Sequence, residues 1–265
     1  MKPGEYYQQA LAKHNWAKQH IDKLDNVLAE FRTKNLRAIG EKTDRQTGDV
    51  TYYVIEVPVI HSDIPLIVGD VLQGLRCALD YIACGMVVAG GGKITSKTKF
   101  PIIKVAADWE VSGLRMVAGA HQLAIEVLRS IKPYEGGNYF LWALHRLNNI
   151  DKHRLLLAVC LINSARTISP YEEAAKVNFT EPGLIADTSL GRVRVCPRTS
   201  PAVPLYAGQE LLTIPMMQSY DEMRFFIDVA ITEPGIAEST PVLMLLYLML
   251  DEVGRIISDL APFLP

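Results

Sequence analysis

Between Ile64 and Ala89 the chain is apolar except for a few polar residues, and its only charges are Asp70, Arg76 and Asp80. Placed on a helix turning about 100° per residue, Val68, Leu72, Leu75, Leu79, Ile82 and Met86 form one face. Arg76 and Asp80 stand opposite as an i, i+4 pair. A helix this sparsely charged belongs inside a bundle. Its guanidinium and carboxylate are expected to bridge each other or to meet the polar face of a neighbouring helix, and the intramolecular bridge is the favoured reading. Ser62 or Asp63 can cap the start, with Pro65 tolerated in the first turn. Gly90, Gly91 and Gly92 end the helix; they follow a helix rather than a strand and do not fit a phosphate-loop frame.

The other elements follow from period and punctuation. From Glu5 to about Arg32, Tyr7, Ala10, His14, Ala17, Ile21, Leu24, Leu28 and Phe31 recur at spacings of three and four, predicting a helix that turns this stripe toward a core. Strand-forming residues on either side of Thr43–Asp49 predict a hairpin, read as an edge ribbon. One or two helices are expected over Asp108–Ile131, ended by Lys132-Pro133. From Ile162 the texture turns to Pro, Gly and Thr, with short β-rich runs at Lys176–Phe179, Gly183–Ala186, Arg192–Cys196, Glu210–Pro215 and Met223–Ile231. These predict an antiparallel meander. Thr240-Pro241 then opens a last helix to about Leu260, apolar on nearly all sides over Val242–Leu250.

The expected fold is therefore α+β and a single domain. A bundle of about five long helices spans 1–162 and 240–265, with a hairpin after the first helix and an antiparallel β region, 163–239, inserted before the last. With 49% hydrophobic residues a chain of 265 residues can bury a core. A net charge of -2 gives no global basic field, so nucleic-acid binding would have to come from a local cluster. Cys77, Cys84, Cys160 and Cys196 show no C-x-x-C pair and read as free thiols. The start lacks the apolar core of a secretory signal and no uninterrupted apolar run reaches a bilayer span, so no membrane contact and a cytoplasmic location are expected.

Chemistry concentrates in the stretch from Phe140 to Leu157. Read as one helix, Phe140, Leu141, Leu144, Leu147 and Leu155 share an arc, while His145, Arg146, Asn149 and His153 gather opposite. Arg146 and His153 lie close to two turns apart, with Asn149 between them. Asn138 is the expected cap. Asp151 falls within the apolar arc, where a carboxylate needs a cationic or hydrogen-bonding partner.

The string from Arg146 to His153 resembles the R-x(4 to 6)-H motif of the HEPN superfamily of nucleotide-binding and ribonuclease domains, and the helical set resembles its bundle. Members often carry a small polar residue directly after the Arg, where this chain has Leu147. The strings around Gly69–Asp80 and Asn148–Arg154 also resemble a bacterial protein family, which adds membership without a function. The superfamily resemblance implies a homodimer in which two motifs form one composite, metal-free ribonuclease site, acting on RNA or binding a nucleotide, with no cofactor. It also suggests a toxin or defence role. In such chemistry a 2′-hydroxyl attacks the adjacent phosphorus; an imidazole moves the proton and a guanidinium neutralises the phosphorane. His153 and Arg146 would take those roles, Asn149 would orient substrate or His153, and His145, Lys152 and Arg154 would bind flanking phosphates.

A second reading makes Arg76, Asp80, Asp151 and Arg154 a structural salt-bridge network in a non-catalytic binding protein, with His153 a satisfied core or interface histidine. In either reading Arg76, Asp80 and Asp151 support the structure. Metal ligation by His145, Asp151 and His153 is weaker, because Asp151 points well away from His145 around the helix. A nucleophilic cysteine or serine is weaker still, with no base nearby in sequence.

Overall fold

The protein is described here by a computed structural model that covers residues 1–156, 158–166, 184–187, 194–197, 205–214, 223–233, 235–236 and 240–264. Its class is α+β. The helices are α1 (Pro3–Lys34), α2 (Asp63–Ala89), α3 (Leu114–Met116), α4 (Gln122–Ser130), α5 (Tyr139–Asp151) and α6 (Val242–Leu260). The strands are β1 (Ile39–Thr43), β2 (Val50–Val54), β3 (Ala158–Arg166), β4 (Leu184–Asp187), β5 (Arg194–Pro197), β6 (Glu210–Ile214) and β7 (Met223–Ile231). The chain divides into two compact units, the first formed by Met1–Asp25, Pro65–Leu156 and Leu243–Pro265, the second by Asn26–Ile64 and Leu157–Val242.

In the first unit the stripe predicted on α1 is buried at Ala10, Ala17, Ile21 and Leu24. Small residues set how closely its helices approach. A methyl group on Gly74 of α2 would lie 3.3 Å from the Ala17 Cβ of α1, and one on Gly69 would fall 2.5 Å from the Asp151 Oδ2 of α5. The first and last helices share this core: His14 Nε2 lies 2.9 Å from the Leu250 carbonyl oxygen, which it can reach only as a donor. By length and composition α2 could cross a bilayer, yet 67% of its most apolar window is buried within the protein. Its charged pair forms the expected bridge: Arg76 Nη2 donates to Asp80 Oδ1 at 2.9 Å and to the Phe100 carbonyl at 2.8 Å, while Phe100 N–H donates back to Asp80 Oδ1 at 2.8 Å. One arginine therefore ties α2 to the extended segment at Phe100, itself fully buried.

The glycine run ends α2 as expected, and Gly91 takes a φ of +81°. It also serves a crossing, because a Cβ on Gly90 would overlap the Gly119 carbonyl. Within Asp108–Ile131 a single π turn, Trp109–Gly113, runs into α3, and α4 follows with His121 Nδ1 accepting from Leu123 N–H at 3.3 Å.

The second unit departs from the expected meander. Among the described strands only β4 and β5 pair as sequence neighbours beyond the hairpin. β3 pairs along its length with β7, from Ala158↔Ile231 to Arg166↔Met223, and β6 joins β2, giving the order β1-β2-β6. The hairpin is thus part of a sheet shared with the later β region, and 26–64 belongs to the same compact unit as that region. Antiparallel pairing over so long a separation in sequence is invisible to local patterning. Arg32, near the end of α1, grips Asp228 of β7 through Nε and Nη2 at 3.1 to 3.3 Å, and the Asp228 carboxylate is buried. The run Lys176–Phe179, expected to be a strand, lies outside the described residues.

Two expectations about Phe140–Leu157 are corrected. The helix ends at Asp151, where His153 N–H bonds back only three residues to the Ile150 carbonyl, and β3 begins at Ala158. Leu155, expected on the buried arc, is accordingly 47% exposed. Asp151 also has no cationic or hydrogen-bonding partner among the described residues; its carboxyl lies instead against the bare Gly69 backbone.

Candidate functional site

Helix α5 is held at its start by one side chain. Asn138 Oδ1 accepts from Leu141 N–H at 3.2 Å, and its Nδ2 donates to Glu252 Oε1 of α6 at 2.5 Å. Burial alone would raise the Glu252 carboxyl, but hydrogen bonds from Arg255 and Asn138 outweigh it and hold the group below its ordinary value. The helix then buries Leu141, Ala143, Leu144, Leu147 and Asn148 in the first unit. Its remaining arc faces outward.

On that arc Arg146, Asn149, Ile150, His153 and Arg154 line one open pocket of about 420 Å³. Their spacing is that of one helical face, the face on which the sequence put Arg146, Asn149 and His153, although α5 itself ends at Asp151. Arg146 and His153 are exposed, Asn149 is half-buried, and Arg154 is exposed and donates to the Leu155 carbonyl at 3.1 Å. The Arg146 guanidinium sits 5.9 Å from the centre of the Trp142 ring, a cation-π placement that restricts it. Among the described residues, no carboxylate lines this pocket. Two guanidinium groups, an imidazole and an amide in such a setting suit an anion with hydrogen-bonding substituents.

The remaining predicted residues lie elsewhere. Lys152 is exposed next to the pocket but does not line it. His145 is half-buried: its Nε2 meets Asn149 Nδ2 at 3.1 Å, and its Nδ1 is enclosed with no partner among the described residues. Burial pushes its pKa down to about 4, helped by the charges of Arg76, Lys99, Lys152 and Arg146, so it is neutral at physiological pH. A neutral imidazole turned inward is a poor phosphate ligand but a good hydrogen-bonding prop. Asp151 is raised, first by burial and then by the Asp70 charge.

Of the four residues in the structural-network reading, Arg76 and Asp80 form the bridge to Phe100, while Asp151 stands apart at Gly69. Trp142 and Ile150 were not singled out by the sequence. Trp142 stands one helical turn before Arg146, and that i, i+4 aromatic-to-arginine spacing was the available signal. No protein-family model matches the chain, and no curated protein or solved structure is significantly similar to it.

Proposed function

We propose that this protein is a HEPN-like, metal-independent ribonuclease or nucleotide-binding protein, working as a homodimer in the cytoplasm, with a toxin or defence role. The observation that carries the reading is the pocket itself, in which Arg146, Asn149, His153 and Arg154 converge with no carboxylate among them. Its volume suits a nucleotide-sized ligand. His153 takes the proton of the attacking 2′-hydroxyl as the new P–O2′ bond forms. Arg146, steadied against Trp142, neutralises the charge on the pentacoordinate phosphorus. The P–O5′ bond then breaks, the departing O5′ receives a proton from an imidazole, and the products are a 2′,3′-cyclic phosphate and a free 5′-hydroxyl. Arg154 and the neighbouring Lys152 hold flanking phosphates. Pairing two copies about a twofold axis would supply a second imidazole and double the local positive charge, offsetting a net-acidic chain.

The test incubates purified protein with single-stranded RNA in EDTA, comparing wild type with Arg146→Ala and His153→Ala. Both side chains are exposed, so both variants should keep the wild-type circular dichroism and melting temperature. Chelator-resistant cleavage is expected to fall by about 10²- to 10⁴-fold in each. Equal cleavage by all three proteins, or none by wild type, refutes the enzymatic reading.

A further inference from the structure

The side chain of His145, outside the pocket, is bonded directly to a residue that lines it. Asn149 lines the pocket, and its Nδ2 is taken up by His145 Nε2 at 3.1 Å. An amide nitrogen can only donate, so Nε2 must present its lone pair, and the single proton of the neutral ring sits on Nδ1. The Asn149 Oδ1 is neither enclosed nor bonded within the described residues, which leaves it as an acceptor for a ligand. Of the other described polar groups lining the pocket, the guanidiniums of Arg146 and Arg154 only donate, and His153 donates when protonated and accepts through one nitrogen when neutral. A phosphodiester satisfies those donors. It does not satisfy a carbonyl oxygen, which needs a hydroxyl or an amino group.

We infer that His145 is a positioning residue that fixes the Asn149 amide with its oxygen toward the ligand, and that this oxygen selects ribose over 2′-deoxyribose by accepting a hydrogen bond from the 2′-hydroxyl in the bound state, the hydroxyl turning its proton to His153 only when the reaction begins. The inference rests on the ribonuclease reading and adds to it a named discriminator of RNA from DNA. The surroundings support it: burial, helped by the charges of Arg76, Lys99, Lys152 and Arg146, keeps Nε2 unprotonated. A protonated Nε2 would repel Nδ2 and turn the amide around.

The probes are the four ribonucleoside 3′-monophosphates and their 2′-deoxy counterparts, which carry the phosphate and sugar without a cleavable bond. Titration calorimetry on the wild-type protein is expected to show ribose favoured by about five- to tenfold, the range of one neutral hydrogen bond. In His145→Phe the preference should vanish through loss of ribonucleotide affinity alone. In His145→Gln, whose Oε1 can still accept from Nδ2, it should persist. Ribose preference surviving in the folded His145→Phe protein overturns the inference. So does equal binding of both sugars by wild type; if cleavage still depends on Arg146 and His153, the ribonuclease reading then stands alone. Absence of both binding and cleavage removes the two together. Should His145→Phe fail to fold, the ¹⁵N spectrum of wild-type histidines decides: a proton on Nδ1 of His145 supports the assignment, and one on Nε2 overturns it.

Discussion

His145 should make this protein acid-sensitive in a defined window. Burial and the four surrounding cations lower its pKa from 6.5 to about 4 in the folded state. As pH falls below 6.5 the unfolded chain gains a proton that the folded protein refuses, so stability drops through the interval and levels off below about 4. The interval is about 2.5 pH units at ~1.4 kcal/mol each, a ceiling of about 3.5 kcal/mol. The ring is half-buried, and solvent screening reduces the expected loss to about 1 to 2 kcal/mol. Because carboxylates also titrate in acid, the informative quantity is a difference. Urea unfolding of wild type and His145→Gln at pH 7.5 and pH 4.5 should show wild type losing about 1 to 2 kcal/mol more than the variant. Lys99→Gln, which removes one of the cations, should move the His145 midpoint upward in an NMR titration. Parallel pH profiles for wild type and His145→Gln, or a His145 midpoint at 6.5, would refute the electrostatic account.

Other substitutions probe the scaffold. Arg76→Met leaves Asp80 Oδ1 and the Phe100 carbonyl without their shared donor, and denaturant unfolding should report a loss of about 3 kcal/mol. At Gly69 an alanine gains roughly 1 kcal/mol of helix propensity but sets its methyl 2.5 Å from Asp151 Oδ2. A double-mutant cycle of Gly69→Ala with Asp151→Gly should therefore give a coupling of about 1 to 2 kcal/mol, with the alanine stabilising only when the carboxylate is gone. Asp151→Asn removes a charge that burial and Asp70 disfavour, so the melting temperature at pH 7 should rise. The carboxyl is only partly buried and screened by solvent, which limits the gain to under about 1 kcal/mol.

The stretches that carry their own periodicity were legible without coordinates. The stripe of α1, the apolar body of α2 with its Arg76–Asp80 pair, the glycine terminator and the Asn138 cap all depend on residues within a turn or two of each other. The same holds for Arg146 and Asn149, which share a helix face at fixed spacing. What failed were statements that depend on where a chain stops and what it meets. Nothing local in Lys152–Leu157 separates continued helix from a turn that ends it at Asp151 and leaves Leu155 exposed. A similar blindness hid the partnership of β2 with β6 and of β3 with β7, since strand pairing is chosen by complementary faces far apart in sequence.

Asp151 and His145 show the division most clearly. Sequence put a carboxylate on an apolar arc and asked for a counter-charge; the tertiary structure answered with a glycine small enough to leave room. Sequence put an imidazole beside an arginine and read a phosphate ligand; burial, helped by the charges of Arg76 and Lys99, made it a neutral prop for Asn149. Residue order fixes which groups a helix can present, because its geometry repeats at short range. Their protonation, partners and exposure are set by the dielectric and charges of elements brought together only in the folded chain.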